Sequence, residues 1–386
     1  LKLVGAQVFC MQIPFVEGFG HSLKTRKASN SVIVRLETDE GVVGYGEGAP
    51  RPYVTGETVE SMTRSVSDTF WSALKGVELP VGDAPDLLAQ VDALLPDALP
   101  TSDESQAGVL AHHCARAAVE VALLDLLLKH ADRSLGALLV PTGDALVYSG
   151  VITSGSEERV LSNARRMKSI GLTQYKVKLG FEDDVAIVAS LREALGPESS
   201  IRVDANGVWT LDHALDTLNQ LVPYNVASCE EPLGRSRMAD LPALAAQSPI
   251  PIMVDESLCT LEDAQWLGEQ SGCHLFNVRV SKCGGIFRCL QFVDRARQHG
   301  IRVQVGSHVG ETSILAAAGR HLGASLDDLA FLEGSYGTIL LSVDVTRQSV
   351  RFGHRGNAAP LRGPGLGIRV LDDRLAQHAD STHSLN

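Results

Sequence analysis

The chain has no block of basic residues, and its formal net charge is −12 over 386 residues. That balance argues against nucleic acid or an anionic membrane surface as partner, because both call for clustered Lys and Arg. No apolar run reaches transmembrane length, and the amino-terminal stretch lacks the pattern of a signal peptide. The seven cysteines are scattered without the spacing of a metal site, which fits reduced thiols. A cytoplasmic enzyme is the expectation. Low-complexity tracts are missing too. Two short motifs fail on their context: Gly44-Tyr-Gly-Glu-Gly48 falls in a hairpin, so it is no dinucleotide fingerprint, and Gly306-Ser-His-Val-Gly310 has its Ser in the wrong place for a nucleophile elbow.

What is present is a rhythm. Lys176-Val-Lys178, Asp204-Ala-Asn-Gly207, Glu230-Glu-Pro232, Asp255-Glu-Ser257 and Lys282-Cys-Gly-Gly285 each close a short apolar run. They recur at intervals of roughly 25 residues, close to one strand-plus-helix unit. The runs 175–179, 201–203, 226–229, 250–254 and 275–280 are rich in branched residues and read as strands, while 183–195, 211–221 and 285–299 carry apolar residues at helical spacing. The same alternation extends back to 146–153 and forward to 302–305 and 329–332. Eight parallel strands with right-handed crossovers make a closed (β/α)8-type barrel, an α/β fold.

Numbered one to eight, the strands put Lys176 and Lys178 at the end of strand two, Asp204 at three, Glu230 at four, Asp255 at five and Lys282 at six. Strands two and six lie half a circle apart, so ammonium groups face each other across the rim where barrel enzymes keep their chemistry. Three carboxylates converge between them and repel unless a cation sits among them; oxygen-only ligands suit Mg²⁺ before Mn²⁺. Lys176 and Lys178 share one strand face, and a neighbouring ammonium lowers the pKa of its partner, as a lysine base needs. Lys282 stands where it could reach the opposite face of the same carbon. Taken singly, an Asp at a strand end is more often a helix cap, and Lys282 could simply neutralise Asp255. Three acids on adjacent strands are hard to explain as caps.

With these five motifs in order, the chain resembles the enolase superfamily, and within it the muconate-lactonizing-enzyme subgroup, marked by Lys-x-Lys on strand two and a further Lys on strand six. The resemblance covers essentially the whole chain. It implies a Mg²⁺-dependent enzyme in which a lysine removes the proton α to a substrate carboxylate and an enediolate forms. It also implies that Asp204, Glu230 and Asp255 are metal ligands, Lys178 and Lys282 the acid/base pair, and Lys176 an auxiliary cation. Glu231 and Glu256 alternate with ligands and are expected to point away; Asn206 and Gly207 read as a turn. His308 closes strand seven, but no acid occurs in 275–285, so the strand-six Asp of the mandelate-racemase dyad is absent.

The amino-terminal part reads as an α+β domain, with strands at 4–13 and 31–37, a hairpin through Asp39-Glu-Gly41 to 42–46, and helices at 59–74, 85–95 and 107–129. Expected boundaries are 1–138 for this capping domain, 139–345 for the barrel and 346–386 for a segment that returns to the cap through a strand at 364–370. The tail after Arg374 is expected to be disordered. Two cap loops, 14–29 and 49–57, offer Phe19, His21, Arg26, Arg51 and Tyr53 as substrate contacts, with Gly18 and Gly20 lending the first mobility. The barrel rim adds His308, Glu311 and Glu333. The expected partner is a small-molecule carboxylate, and a homo-oligomer is expected.

The overall reaction stays open at this level. Racemisation or epimerisation of an amino-acid derivative, muconate-type cycloisomerisation and β-elimination (as in o-succinylbenzoate synthase) all use these residues; an isomerase is favoured and a dehydratase comes second. Dipeptide epimerases of the subgroup usually carry Asp-x-Asp at strand eight, where this chain reads Glu333-Gly-Ser-Tyr336. A Schiff-base aldolase would also use Lys282 but has no need of three carboxylates.

Overall fold

The structure is a computed structural model that describes residues 1–21, 24–97, 112–153, 155–180 and 183–385, without the side chains of 17–21 and 24–26. The expected contacts Phe19, His21 and Arg26 therefore lie outside the described side chains. Eight parallel strands form one sheet in chain order: Gly150–Ile152, Gln174–Lys178, Ser200–Asp204, Val226–Glu230, Ile252–Val254, Leu275–Val278, Arg302–Val305 and Leu329–Leu332. Branched and aromatic side chains fill the space between these strands and the crossover helices, and nearly all are fully buried. The fold is an α/β TIM-like barrel with an amino-terminal cap.

Closure differs from expectation at one seam. Strand eight makes no parallel ladder with strand one. Instead Ser149 N–H donates to Leu332 O at 2.9 Å, and the Tyr336 hydroxyl accepts from Val151 N–H at 2.7 Å while donating to Ser149 O at 3.2 Å. A side chain thus does part of the joining that main chain does elsewhere.

The cap is a four-stranded antiparallel sheet in the order Ala379–Leu385, Leu3–Met11, Ser31–Thr38, Val43–Gly48. The helix His113–His130 lies directly on it. Gly44, Gly46 and Gly48 alternate along one strand because the helix backbone leaves no room there: a Cβ on Gly46 would sit 1.9 Å from Ala118 O. That close approach is the physical reason for the glycine pattern in the hairpin.

Three expectations need correction. The tail is ordered as the helix Asp372–His378 and the strand Ala379–Leu385, which pairs with Leu3–Met11 from Ala6↔Leu385 to Met11↔Ala379. Its side chains are mostly exposed, so the order comes from main-chain pairing at a sheet edge, which a polar composition does not reveal. The segment 364–370 is not that returning strand; it makes only isolated bridges, Ser134↔Gly365 and Thr346↔Val370. Segment 14–29 is not a loop throughout: Pro14–His21 and Lys24–Ala28 pair as an antiparallel ribbon.

Cap and barrel are joined by buried glutamates placed at helix N-termini, where unpaired N–H groups and the helix dipole favour a carboxylate. Glu47 accepts from Thr312 N–H, Thr312 Oγ–H and Leu315 N–H at the start of Ser313–Ala324. Glu120 accepts from Ile286 N–H and Phe287 N–H at the start of Ile286–Gln298. Gly285 is required beside it, since a Cβ there would stand 2.3 Å from Glu120 Oε2. Burial outweighs these donors and pushes the Glu120 carboxyl from 4.5 up to about 7.

A raised carboxyl pKa stabilises the fold below its unfolded value and loses that contribution as pH climbs through the folded one. The stability of wild type relative to Glu120→Gln should therefore decline between about pH 4.5 and 7 by a few kcal/mol at most, and level off above. Denaturant midpoints of both proteins across that range provide the check, and a pH-independent difference would refute it.

Candidate active site

Strand alternation decides what faces the barrel axis. Lys178, Asp204 and Glu230 are register partners across strands two, three and four, and so are Lys176 and Arg202 one layer below. Asp255 lies two residues beyond Met253, the partner of Glu230. By the same period of two, Asn277 on strand six, Arg279 just after it, Gln304 on seven and Glu333 after eight turn inward. The interior at this level is ionic where most barrels carry branched apolar side chains.

Lys176 is its hub. The ammonium lies 3.1 Å from Glu230 Oε2, 2.7 Å from Glu333 Oε2 and 3.5 Å from Asp204 Oδ2, and the residue is 3% exposed. Burial alone would lower its pKa, but the charges of Glu230, Glu333 and Asp204 outweigh that and hold it well above the ordinary lysine range. Glu333 also accepts from Arg202 at 2.7 Å, and despite burial these two cations bring it down to about 2. The Arg202 guanidinium stacks 4.0 Å over the Phe331 ring.

The remaining cations each hold a ligand-type acid. Lys178 Nζ donates to Asp204 Oδ2 at 2.6 Å and to Asn206 Oδ1 at 3.0 Å. Arg279 pairs tightly with Asp255 and reaches Glu230 Oε1 at 3.5 Å. Lys282 Nζ donates to Asp255 Oδ1 at 3.0 Å, Asp255 O at 2.7 Å and Asn277 O at 2.8 Å. Asp204 and Asp255 are buried, which opposes ionisation, yet their cations keep both carboxyls below the usual range. Burial, reinforced by Asp204, Glu333 and Asp255, moves Glu230 upward against Lys176.

Above this network opens a cavity of ≈ 1390 Å³, open space at its mouth included. Of the residues expected to contact substrate, Tyr53, His308, Glu311 and Glu333 line it, as do Lys176 and Lys178. Arg51 is not in the wall. Its guanidinium is buried and donates to the carbonyls of Asn30, Pro50 and Val309, tying cap to rim. Glu311 accepts from His308 N–H, and burial, aided by Glu47, pushes its carboxyl up to about 8. Lys282, expected to reach the substrate carbon, is not in the wall: it sits on the single helical turn Val280–Cys283 that follows strand six, fully buried against Asp255.

Alternation misleads beyond the strand ends. Glu256, expected to point away, lines the cavity, because strand five stops at Val254 and the chain turns. Its Oε1 accepts from Asn206 and its buried Oε2 has no hydrogen-bond partner among the described residues. Burial and the charges of Asp255 and Glu231 raise its carboxyl well above the usual range. Asn206, read as a turn residue, adopts a left-handed backbone (φ 48°) that folds its amide back into the cavity wall. Glu231 does face away, accepting from Ser257 Oγ–H and Asp255 N–H. Arg202, Arg279, Asn277 and Gln304 were missed. The period-two rule applied along strands three, six and seven would have found Arg202, Asn277 and Gln304, and carried one residue past strand six it reaches Arg279.

The donor set fits a hard divalent ion. Asp204, Glu230 and Asp255 are fully buried oxygen donors on adjacent strands, and each is held by a side-chain cation, so the site demands positive charge. Among the described residues no three Asp, Glu, His or Cys side chains already close on one point as a metal cage.

Comparison with known proteins bears on these observations. Residues 159–374 match the model of enolase C-terminal domain-like proteins, and 4–139 match the mandelate racemase / muconate lactonizing enzyme N-terminal domain. A D-Ala-D/L-Ala epimerase of Cytophaga hutchinsonii is 30% identical over 96% of both chains. An N-succinyl-L-Arg/Lys racemase of Bacillus cereus is 26% identical over 98% of both. A crystal structure of the Cytophaga hutchinsonii dipeptide epimerase complexed with Mg and D-Ala-L-Val superposes with TM-score 0.87 at 27% identity over the full length of both. The chain thus belongs to the mandelate racemase / muconate lactonizing enzyme family of the enolase superfamily, and it is an isomerase.

Proposed function

We propose that this enzyme racemises or epimerises an N-blocked amino-acid derivative by moving the proton α to its carboxylate between Lys178 and Lys282. The observation that carries the reading is the disposition of those two residues: one ends strand two, the other follows strand six, on either flank of the carboxylates of strands three to five. A proton removed at one face of a planar carbon can then be returned at the other, which inverts configuration.

Asp204, Glu230 and Asp255 would hold Mg²⁺, or Mn²⁺ in its place. When bound, such an ion supplies positive charge beside the oxygens of a developing enediolate. Everything else falls to side chains. Lys178 Nζ stands in the cavity wall, steered by Asp204 and Asn206. Lys176 is pinned in its charged form by three acids, so it lends a fixed positive field while Lys178 is left to accept the proton. Lys282 Nζ is shared between Asp255 and two carbonyls; it becomes available as the opposite acid when Asp255 is engaged elsewhere. Its turn is held from behind by His113 Nδ1 on Lys282 O at 2.8 Å, and Gly284 ends the turn in a left-handed conformation.

The N-blocked substrate follows from the state of the acids in the wall. Glu333, after strand eight, is consumed by Lys176 and Arg202, Glu256 Oε1 accepts from Asn206, and Glu311 accepts from His308 N–H. Among the described residues, the wall offers a free substrate ammonium no carboxyl group with both oxygens unengaged, and it carries the cations Lys176, Lys178 and Arg279.

Two experiments test the scheme. Lys178→Ala and Lys282→Ala should each abolish racemisation, a loss of at least about 10³-fold, while each retains α-proton exchange in deuterated solvent for one enantiomer only. Exchange of both enantiomers at wild-type rate by either variant would reject the two-lysine assignment, and consumption of a muconate without such exchange would favour cycloisomerisation. Separately, Asp204→Asn should weaken Mg²⁺ binding by about tenfold or more in calorimetry; unchanged affinity would remove Asp204 from the ligand set.

A further inference from the structure

The two lysines assigned to the proton are held by different parts of the molecule. Lys178 belongs to the barrel's own ladder: it is the register partner of Asp204, and Leu179 N–H donates to Asp204 O at 2.8 Å. Lys282 stands outside the ladder. The pairing of strand six with strand seven ends at Val278↔Val305, four residues before it, and the chain then leaves the sheet as the turn Val280–Cys283. A single turn closes few bonds of its own, so its direction is set by what packs against it.

Cap residues grip that turn at three points. Ala49 N–H donates to Ser281 Oγ at 2.9 Å, His113 Nδ1 meets Lys282 O at 2.8 Å, and Arg116 donates to Gly284 O at 3.0 Å. A carbonyl only accepts, so the His113 proton is on Nδ1. The His113 ring also packs on Gly284, where a Cβ would come to 3.3 Å of its Cδ2. Arg116 is anchored in turn by Asp92 Oδ1 at 2.6 Å. All of these donors are buried, so the bonds form without competition from water. At the other end of the side chain, the donors of Lys282 Nζ are placed on Asp255 Oδ1, Asp255 O and Asn277 O, which are barrel atoms. The head of Lys282 is thus fixed by the barrel and its main chain by the cap. A change in the cap contacts shifts one relative to the other and leaves Lys178 where it is.

We infer that His113, Arg116 and Ser281 are positioning residues for Lys282, so that the cap governs proton transfer at one face of the substrate carbon and the barrel governs it at the other. The inference rests on the reading above for the roles of the two lysines. It adds that groups outside the cavity lining control one half of the reaction, since none of these three residues lines the cavity.

The test follows α-proton exchange in deuterated solvent separately for the two enantiomers of the N-acetyl amino acid that wild-type enzyme exchanges fastest. Lys178→Ala identifies the enantiomer served by Lys282, because it keeps only that one. In His113→Leu, exchange of that enantiomer should fall about tenfold to a hundredfold, as a reacting group displaced by about 1 Å loses. The other enantiomer should stay within about twofold of wild type. His113→Asn, whose amide can donate from the place of Nδ1, should recover most of the loss. Ser281→Ala removes a single oxygen from the same grip and should slow the same enantiomer; it carries the test should His113→Leu not fold. Equal losses for both enantiomers in either variant that folds, or no loss, would overturn the inference, since a merely structural contact has no reason to distinguish two faces. Crystal structures of the same variants answer independently of turnover. Lys282 Nζ drawn away from Asn277 O with Lys178 Nζ unmoved would sustain the cap's role even where no N-acetyl amino acid is exchanged and the racemase reading falls; Lys282 Nζ unmoved would overturn it.

Discussion

The structure depends on keeping buried charge balanced inside a barrel. Lys176, nearly unexposed, touches Glu230, Glu333 and Asp204 at once, so among the described residues it is the one cation those three acids share. Without it each of the three acids would lose part of its compensation, and buried uncompensated carboxylates either take up protons or cost several kcal/mol apiece. The pairing also orders the site. Glu333 is fixed from strand eight, Arg202 is drawn over Phe331, and Lys178 is left facing the cavity with Asp204 beneath it. A set of apolar residues could fill the same volume with less desolvation. It could not hold three carboxylates ionised around one point.

That arrangement binds the cap as well as the barrel. The turn bearing Lys282 is gripped from the cap side by His113 on its carbonyl, by Arg116 on Gly284 O and by Ala49 N–H on Ser281 Oγ. Glu120 and Glu47 close the same junction by sitting on the starts of two barrel helices. The cap therefore does more than cover the mouth. It positions the backbone from which one of the two lysines is presented, and a displacement of His113–His130 would move Lys282 with it.

Much of this was legible in the chain because it follows from periodicity. Strand-plus-helix spacing located strands two to eight to within a residue or two, whereas strand one, expected at 146–153, is only Gly150–Ile152 because Leu146–Val147 pairs antiparallel with Asn357–Ala358; a charged residue at the end of each core strand has few structural explanations. Alternation within strands, carried further, would have exposed Arg202, Asn277 and Gln304 too, and Arg279 one residue past the end of strand six. What escaped did so where periodicity stops. Glu256, Asn206 and Lys282 lie past strand ends, where a turn or one helical coil sets direction and the two-residue repeat has no force. The tail was misread because Ala379–Leu385 is stabilised by main-chain bonds to Leu3–Met11, and its polar side chains say nothing of that. The helix-capping roles of Glu47 and Glu120 join residues 265 and 166 positions apart to their partners, a relation no local pattern carries.

The seam between strands one and eight is the consequence least evident from the repeat, and it bears on the cavity's shape. Everywhere else around the ring, neighbouring strands are locked by parallel ladders, and their side chains are committed to the core. Here Tyr336 spans the gap with its hydroxyl, stacking edge-on with Phe352, while Val151 and Thr153 on one side and Gly337 and Ile339 on the other stand in the wall. A junction made by one phenol and few main-chain bonds gives the substrate cavity a side toward the first crossover helix that a fully laddered ring would close. Specificity in this chain is accordingly free to develop at the seam without disturbing the ionic interior, because the residues that face the seam are not those that balance its charge.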